Sequence, residues 1–492
     1  MKTLAFDSAG CFGERLGSPA ATTGGVLSSL EAALSLEDLQ SLDATRRQLV
    51  MQAATVTATG TTDHFAGAPQ RLLHDYNTTR PTSVLYQLLR TANRLRDHVD
   101  RLVVLAPPAT RLAIQALMLA CCDPFFNELS RGERGSRPRL YFDGDHWDND
   151  VAQGLLRLLG VSPAGAVIAR PDALERRWAV VVVDPAGSVS AAGPDPLPGN
   201  LESPLESPLE SPLESPLQSP LQAAWQRYEA ALQWECQGDL EEMAQRVTLV
   251  VAPQSSWTDC PTVPPGAERF LLPDQHAQQH ARQHARQHAR QHDEFDSLFS
   301  VATLLPAAIL GIDVVKLLHA AVAMQQCFEQ SPVGSNPVLD YVATGEQVRR
   351  DGRAVAQRWL CSSPTLQGLV EWAERLLCTA SGTALGTALG TTSGHGAQAG
   401  AATYVTLEQW RCDPLAVVLP RMLAESGERE RASQLPQLAQ DYDCQRLQDA
   451  RAAGWPWATL RMARADEEGL GQFFQMLLLV RECQRLRATP GP

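Results

Sequence analysis

Six short runs of aliphatic and β-branched residues, separated by stretches of helical periodicity, constrain this chain more than any other feature. They are LVVLA (102–106), RLYF (139–142), VVVV (180–183), TLVVA (248–252), ATYVTL (402–407) and ATLRMA (458–463). The runs are continuously apolar, which fits strands covered on both faces. Helical patterns lie between them, as at Arg111–Ala120 and Val151–Leu159. This alternation predicts an α/β fold: two three-layer α/β/α domains with parallel sheets, plus an N-terminal helical region over about 25–100.

Three tandem repeats interrupt the pattern. LESPLESPLESPLESPLQSPLQ (201–222) carries a proline every fourth residue, which predicts an extended, solvated insertion and forbids a helix. QHAQQHARQHARQHARQH (275–292) sets His276, His280, His284, His288 and His292 four residues apart. Histidines so spaced chelate nickel or zinc adventitiously, but no carboxylate or cysteine set completes a defined site, so no metal centre is expected. GTALGTALGTT (382–392) is a short Gly/Thr duplication. The expected boundaries are then 1–80 for an N-terminal helical or irregular region and 81–274 for a first domain holding the 201–222 insertion. The repeat at 275–292 follows, and then a second domain with C-terminal helices over 293–492.

Ser300–Met324 reads as two short buried helices, with Pro306 in a first turn and Asp313 capping a second helix from Val314. Asp313 and Lys316 interrupt it well before the roughly 20 apolar residues that a membrane span needs. The opening MKTLAFDSAGCFGERLG lacks an apolar core long enough for a signal peptide. Eleven cysteines without a CxxC pair predict a reduced, cytoplasmic protein. A net charge of −13 argues against nucleic-acid binding. Only Lys2 and Lys316 stand among 42 basic residues, the rest being arginine.

From about residue 80 onward the chain resembles the glucose-6-phosphate isomerase family. LVVLAPPATRLAIQAL (102–117) is similar to that family's first strand, glycine-rich turn and helix, and RPRLYFDGDHWDND (137–150) to its next strand and turn. AVVVVDPAGSVSAA (179–192) matches the phosphate-binding loop, and LLPAAILGIDVVKLL (304–318) is the strongest match. WAERLL (372–377) resembles the helix leading to the catalytic glutamate, ALGTTSGHGAQ (388–398) the loop of the catalytic histidine, and DEEGLGQFFQMLLLV (466–480) a late helix. The resemblance implies two sugar-isomerase (SIS) domains and a dimer. It also implies interconversion of glucose 6-phosphate and fructose 6-phosphate in glycolysis and gluconeogenesis without a cofactor.

By position in the resemblance, His395 is the ring-opening histidine, and Thr379 stands where the family has its glutamate base. Gly187, Ser188 and Thr110 are the candidate sugar-phosphate contacts. The departures are concentrated where chemistry happens. A threonine hydroxyl cannot take a carbon-bound proton at neutral pH, and losing a positioned base costs about 10²–10⁴-fold. Glu371 and Glu374, upstream on the same helix, read as solvated surface acids. The phosphate loop opens Asp184-Pro185, which removes an N–H donor and adds a carboxylate beside a dianion. Such repulsion is on the order of 4 kcal/mol at about 4 Å and an effective dielectric near 20. Pro107 and Pro108 replace the glycine-rich turn, with Arg111 either a replacement anion contact or a solvated helix-start arginine. The Gly-Gly-Arg turn becomes HDEF, with Phe295 near the arginine's place and Arg290 the nearest substitute. The expectation is a family scaffold whose activity is lost or strongly impaired. The alternative is a non-catalytic pseudoenzyme that binds sugar phosphate or acts as a structural or regulatory partner, as a homodimer or paired with an active paralogue.

Overall fold

The computed structural model describes residues 4–8, 34–59, 67–161, 174–185, 219–253, 255–258, 260–272, 295 and 297–351. It continues with 357–381, 401–409, 416–417, 433–452 and 456–488. The strands are β1 (Ala5–Asp7), β2 (Arg101–Leu105), β3 (Arg139–Asp143), β4 (Trp178–Asp184), β5 (Val247–Val251) and β6 (Glu268–Leu271). After them come β7 (Gln357–Cys361), β8 (Ala401–Leu407), β9 (Ala416–Val417), β10 (Ser433–Gln434) and β11 (Trp457–Met462). The helices begin with α1 (Leu36–Thr59), α2 (Ala68–Thr78), α3 (Val84–His98), α4 (Pro108–Cys121), α5 (Asn149–Leu159), α6 (Pro220–Glu235) and α7 (Leu240–Arg246). They end with α8 (Val301–Ile309), α9 (Val314–Gln330), α10 (Pro337–Arg350), α11 (Gln367–Ser381), α12 (Leu435–Ala452) and α13 (Glu467–Ala488). The chain is an α/β protein with two parallel sheets, and it divides into two compact units.

One unit is formed by residues 93–111 and 129–286. Its sheet has the order β3-β2-β4-β5-β6, parallel throughout. All seven residues of β4 are buried, as are Leu102–Leu105 of β2 and the whole of β5. One face carries Val103, Leu105, Val180, Val182, Leu249 and Val251 against Leu221, Trp225 and Tyr228 of α6 and Leu155 and Leu159 of α5. Continuous apolar runs are therefore what this sheet requires.

The helix α6 begins inside the last unit of the 201–222 repeat, which corrects the expectation that the repeat excludes helix. Ser219 accepts a hydrogen bond from the Gln222 amide (3.2 Å), and Gln222 Oε1 accepts from the Ser219 amide (3.2 Å). Pro220 occupies the first helical position, where its missing N–H has no intrahelical partner to lose. Proline every fourth residue breaks a helix that must contain it, but a single proline starts one.

At the amino ends of the strands, Asp100 is fully buried beneath three guanidinium groups. Arg131 and Arg134 donate to its Oδ1 at 3.0 and 2.6 Å, and Arg139 donates to Oδ2. The same arginines also donate to backbone carbonyls of Val99 (2.9 Å), Arg137 (3.0 Å) and Leu129 (3.1 Å). The loop before β3 turns through Gly135 and Ser136, both left-handed at φ 64° and 62°, and this clamp holds it.

The other unit is formed by 1–92, 112–128 and 287–492, with the sheet order β1-β11-β8-β7. β11, β8 and β7 are parallel, and β1 adds an antiparallel edge. The helix α8 starts from Ser300, whose hydroxyl accepts from the Ala302 amide at 3.2 Å. Pro306 is thus the sixth helical residue and not in a first turn. Its cost is contained because α8 stops three residues later, where Gly311 (φ 81°) donates to Ala308 and Ile312 to Ala307. Asp313 caps α9 as expected, accepting from Val315 and Lys316 at 3.1 and 3.0 Å. The helices α9 and α13 cross so closely at Gly471 that an added Cβ would lie 2.2 Å from the Leu317 carbonyl oxygen.

Candidate functional site

The strand order sets where a ligand can enter the five-stranded unit. From β2 the chain moves outward to β3, then returns to place β4 on the other side of β2. The crevice at such a reversal, outside the carboxyl ends of the strands, is the standing ligand position of open parallel sheets. It is bordered here by the turn from β2 into α4 and by the end of β4.

Pro108 takes the first position of α4, so the helix starts earlier than the sequence pattern indicated. Thr110, two residues on, is 1% exposed, and its Oγ1 has no hydrogen-bond partner among the described residues. Arg111 is 32% exposed and already paired, so it is not a free anion contact. Its Nη1 lies 3.0 Å from Oδ1 and 2.9 Å from Oδ2 of Asp145, a carboxylate only 9% exposed.

β3 ends on Asp143, whose side chain is fully buried. Its Oδ1 accepts from the Gly144 amide (2.7 Å), and its Oδ2 from the Tyr228 hydroxyl (2.7 Å) and Arg227 (3.2 Å). Gly144 sits at φ 92°, with Leu221 Cδ1 2.9 Å from where a Cβ would be, so only glycine fits this turn. Burial first, and then the Asp143 charge, push the Tyr228 phenol above its ordinary range, so it remains a hydrogen-bond donor. His146 Nδ1 faces the Asp148 amide at 3.2 Å, while Nε2 lies 3.7 Å from Asp143 and 4.0 Å from Asp145. With Nδ1 accepting, the neutral ring carries its proton on Nε2.

β4 ends on Asp184, which is 4% exposed and accepts from the Ser255 hydroxyl at 2.9 Å. The carboxylate is thus an internal tether between the ends of β4 and β5. Gly187 and Ser188, the expected phosphate contacts after it, lie outside the described residues.

The remaining candidates belong to the other unit. Thr379 is in the last turn of α11. Glu374, expected as a surface acid, instead accepts from the Trp359 amide of β7 at 2.9 Å. Glu371 is exposed and accepts from Gln367 at 3.0 Å. Phe295 is a core residue, edge-on to Trp372 with ring centroids 6.0 Å apart. His395, Arg290 and the histidine repeat lie outside the described residues. Among the described residues no group of three or more histidines, cysteines or acids could hold a metal, and no helix is long and apolar enough to cross a membrane.

Sequence reasoning missed the cluster of Asp143, Asp145, His146, Arg227 and Tyr228, and the Ser255 partner of Asp184. The run DGDH at the end of a strand was a usable signal for its first half. Nothing local marked Arg227 or Tyr228, which come from a helix 85 residues further on.

No protein-family model matches the chain, and no curated protein matches its sequence. Solved structures do. The chain is similar to the hypothetical protein TT0462 from Thermus thermophilus, with 17% identity and a TM-score of 0.63 over 98% of this chain and 94% of that one. The fold is shared. A glucose-6-phosphate isomerase from Chlamydia trachomatis matches at 13% identity and a TM-score of 0.47, over 81% of this chain and 67% of that one. That is a distant link at the level of the fold.

Proposed function

We propose that this chain is a non-catalytic protein built on a glucose-6-phosphate isomerase-like, two-SIS-domain scaffold, acting as a structural or regulatory partner in the cytoplasm. The observation that carries this reading is the state of the charges at the strand ends. Binding a phosphate dianion requires free donors and uncompensated positive charge. Asp184 instead presents a buried carboxylate at the head of the expected phosphate loop, and Arg111 is already neutralised by Asp145. In the second unit, the nearest acid to the position of the family's base, Glu374, is spent on a strand amide. Residual, weak binding of sugar phosphate at the start of α4 belongs to the same reading and requires the buried Thr110 hydroxyl to turn outward.

A coupled assay on the purified protein with glucose 6-phosphate and fructose 6-phosphate tests this. No turnover is expected, and Thr379→Glu is expected not to restore it. Turnover in the parent protein that vanishes in His395→Ala would overturn the reading. Dimerisation belongs to the same proposal: co-expression with an active paralogue should give a heterodimer, and recovery of the two chains as separate species counts against it.

A further inference from the structure

A cleft of about 390 Å³ lies between the start of α5 and the middle of α6, and Thr110 is not among the residues that line it. Trp147, Asn149, Gln153 and Arg227 line it above an apolar floor that includes Ala152 and Leu156. Three features of this cleft point to one class of ligand.

The first is Trp147, which is 66% exposed. An indole left in water at the mouth of a concavity offers a flat apolar platform with a polar edge. The second is that the polar groups are held from behind. Arg227 is fixed by the buried Asp143, which the buried Tyr228 hydroxyl also holds, and the neighbouring His146 ring is set by the Asp148 amide. Gln153 Nε2 donates to Asn149 Oδ1 at 3.1 Å, which orders the two amides as a pair. Polar groups ordered in advance lose little entropy on binding.

The third feature is charge. Asp143 balances Arg227, and Asp145 balances Arg111. Asp148, the N-cap of α5, then leaves a carboxylate on the rim without a basic partner among the lining residues. A phosphorylated or carboxylated ligand is repelled, while a ligand with many hydroxyls and an apolar face is not. We propose that this cleft binds a neutral pyranose sugar, its ring face on Trp147 and its hydroxyls bonded to Asn149, Gln153 and Arg227.

The test uses the full chain, with tryptophan fluorescence and saturation-transfer NMR against glucose, galactose, mannose and glucose 6-phosphate. At least one neutral hexose is expected to bind in the millimolar range. Trp147→Ala should weaken it by about tenfold or more. Gln153→Ala should weaken it less, and glucose 6-phosphate should bind more weakly than its neutral parent. Trp147 and Gln153 are surface residues, and circular dichroism verifies that both variants fold. The proposal is overturned if none of the three hexoses binds, if binding survives Trp147→Ala, or if the phosphorylated sugar is the tighter ligand in a Trp147-dependent manner.

Discussion

Asp100, just before β2, and Asp143, at the end of β3, lie at opposite ends of the same sheet, both with fully buried side chains, and their surroundings are opposite. At the strand starts, one carboxylate is shared by three arginines whose remaining donors go to backbone carbonyls. At the strand ends the ratio inverts: among the described residues Arg111 pairs with Asp145 and Arg227 with Asp143, His146 lies 3.7 Å from Asp143, and two hydroxyls and an amide donate to Asp143 and Asp184. The first arrangement is closed on itself and fixes a loop. The second leaves polar capacity over, as Thr110 Oγ1 and Arg227 Nε have no partner among the described residues.

The sharpest way to break this contrast is Asp100→Asn. It leaves three buried or half-buried guanidinium groups without their counter-charge, and a loss of about 3–5 kcal/mol is expected in urea unfolding. A loss below about 1 kcal/mol would show that the clamp is not what holds the loop. Tyr228→Phe, at the other end, removes one of three donors to Asp143 and should cost roughly 1–3 kcal/mol in the same measurement.

Asp184→Asn keeps an acceptor for Ser255 while removing the charge. Stability should change little, and a thermal-shift titration with glucose 6-phosphate should show a gain in affinity of up to about tenfold, equivalent to about 1.4 kcal/mol. Unchanged affinity would place the phosphate away from this carboxylate.

The smallest expected effect is a dependence on pH. Burial raises the Glu229 carboxyl above its ordinary range, partly offset by the hydrogen bond from Thr262. The folded state therefore keeps this proton to higher pH than the unfolded chain. Stability is greatest below the ordinary glutamate range and declines as pH rises through the raised value. Glu229→Gln should have the higher melting temperature at neutral pH, with the difference closing as the solution is acidified. A difference that is constant with pH would assign the effect to packing instead.

Much of the fold was legible because the central strands are buried on both faces. Val180–Val183 have no solvent-facing side, so their sequence carries no alternation to misread. The edge strand β3 was legible as RLYF, but the edge strands β6 and β7 were not. Glu268–Leu271 buries one residue in four and Gln357–Cys361 is half polar, so neither stands out from a loop. The candidate positions that the sequence could offer in the first unit follow directly from strand ends, as at Thr110 and Asp184. The Tyr228–Asp143 contact exists only in the folded unit, and Arg111 could not be assigned without its partner Asp145. Glu374 shows the same limit, since a strand amide that needs an acceptor leaves no trace in the helix sequence.

The start of α6 has a consequence for how this gene can change. The capping box there is Ser219-Pro220-Leu221-Gln222, and every preceding unit of the repeat spells Ser-Pro-Leu followed by Glu or Gln, an equivalent cap. Gain or loss of whole four-residue units by replication slippage therefore always leaves a competent helix start at the junction. A change in the number of units thus leaves the helix that covers the sheet starting from the same chemistry.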